Sequence, residues 1–361
     1  MAAVNRLMEL LPKQADGTAV DSALVTSDRN RRYLTGFDST SSFVFVTREK
    51  SYFLTDFRYF EAAQRVVKDC EVVMYTKPAE GLQQIVKKHG LKHVLFENAE
   101  LSLGSARNYE KILAEAGAAA VEDATLDRIL RDLRMIKSPE EIQKIKAAQQ
   151  LTDAAFTHIL RKIRPGVTER EIALEIEFFM RKEGADGVAF DLIVVSGKNG
   201  SLCHGVPSYK KIEKGEFITM DIGALLDGYH SDMTRTVALG QVSPEQKRVY
   251  QTVLEAQLAA LKQCRPGVEC GSVDKAARDI IEKDYPGTFG HSTGHGVGVE
   301  IHEWPRFAPG DKTAARPGMV VTVEPGIYLA GKFGVRIEDM VAITETGHEN
   351  LTRSPKELIQ L

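Results

Sequence analysis

Residues 215–239 read GEFITMDIGALLDGYHSDMTRTVAL, and residues 318–343 read GMVVTVEPGIYLAGKFGVRIEDMVAI. Each stretch opens on a glycine, runs through apolar residues and a threonine, and reaches an acid six residues on: Asp221 in the first, Glu324 in the second. A second acid follows 11 residues later in one (Asp232) and 14 later in the other (Glu338). Upstream, Arg164-Pro165-Gly166-Val167 recurs as Arg265-Pro266-Gly267-Val268, 101 residues on. A repeat of about 100 residues is too long for a solenoid unit. It reads as two similar halves of one pseudo-symmetric domain. A carboxylate at the end of a buried apolar strand is costly unless something pairs with it. If the halves face each other, four carboxylates converge, and they share a dry site only with counter-charge. Divalent cations are the natural partner.

The histidines point the same way. The segment HSTGHGVGVEIHEWPR places His291, His295 and His302 close together among glycines, and NGSLCHGVP adds His204 in the first half. A lone buried histidine is more often a satisfied core residue than a ligand. Three in one glycine-rich segment, where the backbone can approach closely, beside a four-acid repeat, reverse that expectation. Asp232 could instead cap a turn. Asp227, and Glu338 with Asp339 at a strand end, could be solvated, and for Asp227 and Asp339 solvation is the expectation. Carboxylates with one imidazole suit Mn, Co, Fe or Zn better than a thiolate-selective metal.

Around these motifs the chain divides into residues 1–125, a connector at 126–138 and a larger domain at 139–361 that carries the acids and histidines. In the first part, Ser42 to Val46 and Ser51 to Thr55 read as paired strands. Asp56 to Lys68 reads as a helix with Phe57, Phe60, Ala63 and Val67 on one face. Short strands at Val72 to Tyr75 and Val94 to Phe96 flank a helix at Leu82 to His89, giving a small α/β domain without a catalytic cluster. Ser138, Pro139 and Glu141 form a capping box that opens a long helix. Thr168 and Glu171 open a second helix, ending near Gly184. Glu245 to Gln263 and Ser272 to Lys283 repeat the pair. Helices followed by antiparallel strands in each half make the whole an α+β protein.

Composition excludes some classes. At 361 residues with 43% hydrophobic and 27% charged residues, the chain is ordinary for a globular protein. A net charge of −3 offers no bulk attraction to nucleic acid or an anionic membrane. Glu9 interrupts the only short apolar stretch near the N-terminus, so no secretory segment is expected. The four cysteines form neither a metal knuckle nor a dense framework, which predicts reduced thiols in a cytoplasm.

Taken together, TMDIGALLDGYHSDMTRT, HSTGHGVG, VEPGIY and GVRIED resemble the five-ligand signature of the pita-bread metallopeptidases, which include methionine aminopeptidase, aminopeptidase P and prolidase. NRRYLTGFDST, LTDFRYFEAA and RMIKSPEEI resemble the N-terminal domain and interdomain junction of the creatinase, prolidase and aminopeptidase P branch. The resemblance implies a C-terminal pseudo-two-fold pita-bread domain behind a smaller creatinase-like domain. It implies two divalent metal ions, Mn foremost with Co, Zn or Fe as alternatives. Asp221 would be a bidentate ligand to one, Asp232 and Glu338 bridging ligands, and His295 and Glu324 ligands to the other. Glu324 would also shuttle a proton. His204 and His302 would hold substrate and stabilise the tetrahedral intermediate, with His291 as a further pocket histidine. Thr234 and Arg336 would orient ligands.

The implied reaction is hydrolysis of the bond between an N-terminal residue and a following proline, with peptides carrying proline second as substrates and a homodimer as the assembly. Arg306, in HEWPR, resembles the prolidase residue that faces a dipeptide's carboxylate. Guanidinium suits that task by its forked geometry and permanent charge. The plain alternative is a surface arginine paired with Glu303 or Asp311. Two rival functions share the fold: a creatinase-type hydrolase without metal, and a non-catalytic peptide-binding module. The first loses the ligand acids, which are all present here.

Overall fold

The computed structural model describes residues 2–361. The chain forms two compact units, one running to Arg134 and one from Met135 to Leu361. The first unit is built on a six-stranded sheet. Its strands in spatial order are Glu71–Met74, Ser51–Thr55, Ser42–Thr47, Ser22–Val25, His93–Phe96 and Ala119–Val121. Ser42–Thr47 is antiparallel to both neighbours, and the outer pairings are parallel. The helix Thr125–Met135 ends this unit, with the Asp127 carboxylate accepting from the amides of Asn98 and Ala99. In the helix Phe57–Val66, Ala63 is buried as its periodicity predicts, but Phe57 is 84% exposed. As the first helical residue, it leans back beyond the helix end rather than over the sheet.

The second unit shows the repeat as structure. Its first half is the helices Pro139–Ile159 and Glu169–Lys182, then the antiparallel strands Ile193–Ser196, Phe217–Ile222 and Met233–Ala238. The second half is the helices Pro244–Gln263 and Cys270–Asp284, then a five-stranded antiparallel sheet that includes Gly294–Gly296, Val320–Val323 and Asp339–Ile343. Both expected capping boxes form, Ser138 with Glu141 and Thr168 with Glu171. A third, Ser243 with Gln246, starts the helix at Pro244. Each half has its own apolar core, around Phe156, Ile176 and Ile218 in one and Val253, Ala277 and Val341 in the other.

The halves are joined by hydrogen bonds near the acids. Glu338 N donates to Thr234 O at 3.1 Å, and Thr236 Oγ1 donates to Arg336 O at 3.0 Å. Asp227 is exposed, in keeping with its expected solvation. Asp339 is not: it is fully buried and pairs with Arg235 at 2.7 Å and Lys356 at 2.6 Å. It faces the core because neighbouring residues of a strand point to opposite faces, and Glu338 takes the other face.

Candidate metal centre

The four repeat-matched acids all sit at strand ends, where a side chain can leave the ladder. Asp221 is the penultimate residue of Phe217–Ile222 and lies opposite Thr234. Asp232 precedes Met233–Ala238, Glu324 follows Val320–Val323, and Glu338 precedes Asp339–Ile343. His295 is central in Gly294–Gly296. That strand crosses its neighbour so closely that a Cβ on Gly294 would lie 1.9 Å from Thr322 O, so only glycine fits there. All five line one cavity of about 390 Å³, together with His204, His291, His302, Arg306 and Arg336. Thr234 does not line the cavity and reaches it through Glu338 and Arg336, which do.

The donor atoms cluster. One from each of Asp232, His295 and Glu338 fall within 4.8 Å of one another. His295 Nδ1 is held by Gly296 O at 3.0 Å, which fixes the tautomer and turns Nε2 toward the acids. Nε2 lies 3.5 Å from Asp232 and 3.4 Å from Glu324. Burial leaves this imidazole neutral, lowering its pKa to about 3 against the opposing pull of the Gly296 hydrogen bond. Asp221 Oδ1 and Glu338 Oε1 are buried with no protein hydrogen-bond partner. Burial and mutual repulsion push the carboxyls of Asp232 and Glu338 far above their usual range, and Glu324 up to about 8. Buried acids that repel each other, two orphaned oxygens and a neutral imidazole lone pair form a donor set that fits divalent cations.

Arg336 organises the acids from behind. Its Nη2 donates to Asp221 at 2.6 Å and its Nε to Thr234 Oγ1 at 2.9 Å, and Thr234 in turn donates to Glu338 at 2.7 Å. The remaining nitrogen donates to the Tyr328 hydroxyl at 2.8 Å, and that hydroxyl meets His291 Nε2 at 2.9 Å. His291 Nδ1 donates to Ser292 O, so Nε2 accepts from Tyr328. Burial and the charge of Arg336 hold His291 near a pKa of about 4, hence neutral. Nothing in the sequence singles out Tyr328, because a tyrosine in an apolar strand reads as packing.

His204 and His302 both reach the cavity from exposed turns. The His302 ring packs edge-on to His295, with centroids 4.5 Å apart. Arg306 opposes His295 across the strand pair and lines the cavity. Among the described residues it has neither Glu303 nor Asp311 as a partner. Glu303 is instead taken by Lys137 in a buried pair at 2.9 Å, and Asp311 caps the turn at Thr313.

Comparison with known proteins places this arrangement. The profile of metallopeptidase family M24 matches residues 143–345, and that of the creatinase/prolidase N-terminal domain matches residues 6–136. The chain is 43% identical to the uncharacterized peptidase YqhT of Bacillus subtilis over 95% of this chain and 96% of that protein. It is 35% identical to the Xaa-Pro dipeptidase of Pyrococcus horikoshii over 99% and 100%. Among solved structures, it superposes on an Xaa-Pro dipeptidase from Bacillus anthracis with a TM-score of 0.93 at 42% identity, covering 99% of both chains. An X-Pro aminopeptidase from Thermotoga maritima gives 0.88 at 37%, covering 94% and 97%. With the pita-bread halves, the converging acids and these full-length likenesses in agreement, the chain belongs to metallopeptidase family M24, in the branch that carries a creatinase/prolidase N-terminal domain.

Proposed function

We propose that this protein is a metal-dependent peptidase that hydrolyses the bond between an N-terminal residue and a following proline, acting on Xaa-Pro dipeptides and retaining activity on longer peptides. The observation that carries the reading is the convergence of Asp232, His295 and Glu338 in one cavity with two orphaned carboxylate oxygens. The relatives named as Xaa-Pro dipeptidases support the choice of substrate. Asp221, Asp232, His295, Glu324 and Glu338 would hold two divalent ions; an oxygen-rich set with one imidazole suits Mn, Co, Zn or Fe, and the family likeness puts Mn first. When bound, such ions polarise a carbonyl and supply a nucleophile at neutral pH. The metal-free hydrolase is not favoured, because every ligand acid is in place.

The chain's own groups do the rest. His204 and His302 donate hydrogen bonds to the oxygen of the scissile carbonyl as charge develops on it. Glu324, held by Thr322 at 3.3 Å, receives a proton and passes it to the leaving nitrogen. Arg336 and Thr234 keep Asp221 and Glu338 oriented, and Tyr328 keeps the accepting nitrogen of His291 occupied. His204→Ala and His302→Ala are each expected to retain metal and to lower kcat by about 10²–10³-fold. Near-normal turnover with a lowered melting temperature would reduce them to packing residues.

Arg306 carries the length preference. With no carboxylate partner among the described residues, it is available to fork onto the terminal carboxylate of a dipeptide. Arg306→Ala is expected to lower kcat/KM for Xaa-Pro by about 10–10²-fold, the worth of a charge-assisted pair of roughly 1.5–3 kcal/mol. Xaa-Pro-Xaa should be nearly unaffected. An equal loss at every peptide length, or none, would reject the role and favour an aminopeptidase. The four free cysteines favour a reducing cytoplasm, and a homodimer rests on the family likeness alone.

A further inference from the structure

Glu169 is the first residue of the helix Glu169–Lys182 and is completely buried. It does not line the cavity, yet both carboxylate oxygens are saturated by donors. Oε1 accepts from Ser196 N at 2.7 Å, Ser196 Oγ at 2.9 Å and Asn199 Nδ2 at 3.1 Å. Oε2 accepts from Ser208 N at 3.1 Å and Ser208 Oγ at 2.6 Å. Ser196 and Ser208 are the two ends of one segment, and that segment carries His204. Between them the chain makes a short 3₁₀ turn, Gly197–Ser201, and then no regular element.

A buried carboxylate is costly unless fully hydrogen-bonded, and an apolar residue would fill the space more cheaply. What the carboxylate does here is tie both ends of an irregular segment to the start of a rigid helix. The middle is fixed from the other side. Arg336 donates to Cys203 O at 3.2 Å, and the 3₁₀ turn packs so closely on the strand Phe333–Arg336 that a Cβ on Gly334 would lie 2.0 Å from Gly200 O. Sites on loops are less exact than sites on helices or strands unless their support is locked. The second half repeats the device. Asp274, buried in the helix Cys270–Asp284, accepts from Thr293 N at 3.1 Å and Thr293 Oγ1 at 2.9 Å. Its partner Arg278 donates to His291 O at 2.8 Å.

We propose that Glu169 is a positioning residue for peptide hydrolysis, acting through His204 by clamping both ends of the 196–208 segment. The inference rests on the catalytic reading of His204. A group displaced by about 1 Å can cost 10²-fold in rate, so Glu169→Gln in the metal-loaded enzyme is expected to lower kcat for an Xaa-Pro dipeptide by about 10–100-fold with metal content unchanged. The decisive measurement is a double-mutant cycle. If Glu169 acts through His204, Glu169→Gln costs almost nothing further in a His204→Ala background. Losses that multiply, or a Glu169→Gln enzyme with full kcat per metal-loaded molecule, would overturn the proposal. Ser208→Ala, which removes the hydroxyl donor at 2.6 Å from one end of the segment, is run in the same cycle; it is expected to lower kcat and to show the same non-additivity, and an unchanged kcat overturns the proposal, so the outcome does not depend on Glu169→Gln folding. A His204→Ala enzyme with full turnover overturns the reading of His204 and the inference with it. A crippled His204→Ala enzyme with multiplying losses overturns the inference alone.

Discussion

Glu338→Gln is expected to lose metal and to lower kcat/KM by about 10⁴-fold, the rate equivalent of the several kcal/mol a bound divalent ion contributes. The substitution preserves shape, and Thr234 can still donate to the remaining oxygen. What disappears is a negative charge and the acceptor at Oε1, an atom that is buried without a protein partner. Without a cation, Glu338 is repelled by Glu324 and Asp221 in a dry setting, so the charge serves no protein contact other than Thr234. The chelated variant should therefore melt no lower than the chelated wild type, while added Mn raises the melting temperature of the wild type alone. Elemental analysis and thermal scans read this independently of turnover. Full metal occupancy in Glu338→Gln would remove it from the ligand set.

The acids were legible because the six-residue run from glycine to first acid occurs twice, each time with a second acid further on, and because a carboxylate ending an apolar strand demands a partner. His295 was legible from the glycines around it, which the close crossing at Gly294 requires. The residues that hold these groups were not. Glu169 follows the cap Thr168 and reads as one more exposed acid in a helix's first turn. Its donors, Ser196 and Ser208, are 27 and 39 residues away, and no local pattern links them. Phe57 fails for the opposite reason: helical periodicity assigned it a face, but periodicity does not say where the helix begins relative to the sheet. The pairing of Lys137 with Glu303 spans 166 residues and freed Arg306 from the partner that proximity in sequence had offered it.

The corrected position of Asp339 gives the largest expected effect on stability. Two strands from different sheets meet where Glu338 N bonds Thr234 O, and both alternate: Thr234 faces the acids and Arg235 faces away, just as Glu338 faces the acids and Asp339 faces away. The two outward residues meet in a second buried charge cluster. Arg235 is 1% exposed and bonds Asp339 through Nη2 at 2.7 Å; Nη2 also donates to Ser354 O, and its other nitrogens donate to the carbonyls of Thr234, Glu338 and Pro355. Gln257, Asn350 and Lys356 complete the shell on the second oxygen of Asp339. Burial alone would push this carboxyl up, but Arg235 and Lys356 outweigh it and hold Asp339 below the usual range. Asp339→Asn leaves the Arg235 charge buried and uncompensated. Lys356, at 19% side-chain exposure, can turn toward water, whereas Arg235 is tied to four carbonyls and cannot. The expected cost is about 3–5 kcal/mol, the range for breaking a buried pair from one side, measured by urea unfolding of the metal-free protein so that ligand binding does not contribute. If Asp339→Asn unfolds within about 1 kcal/mol of wild type, as an exposed pair would, the cluster is open to solvent and the alternation of the two strands has been misassigned.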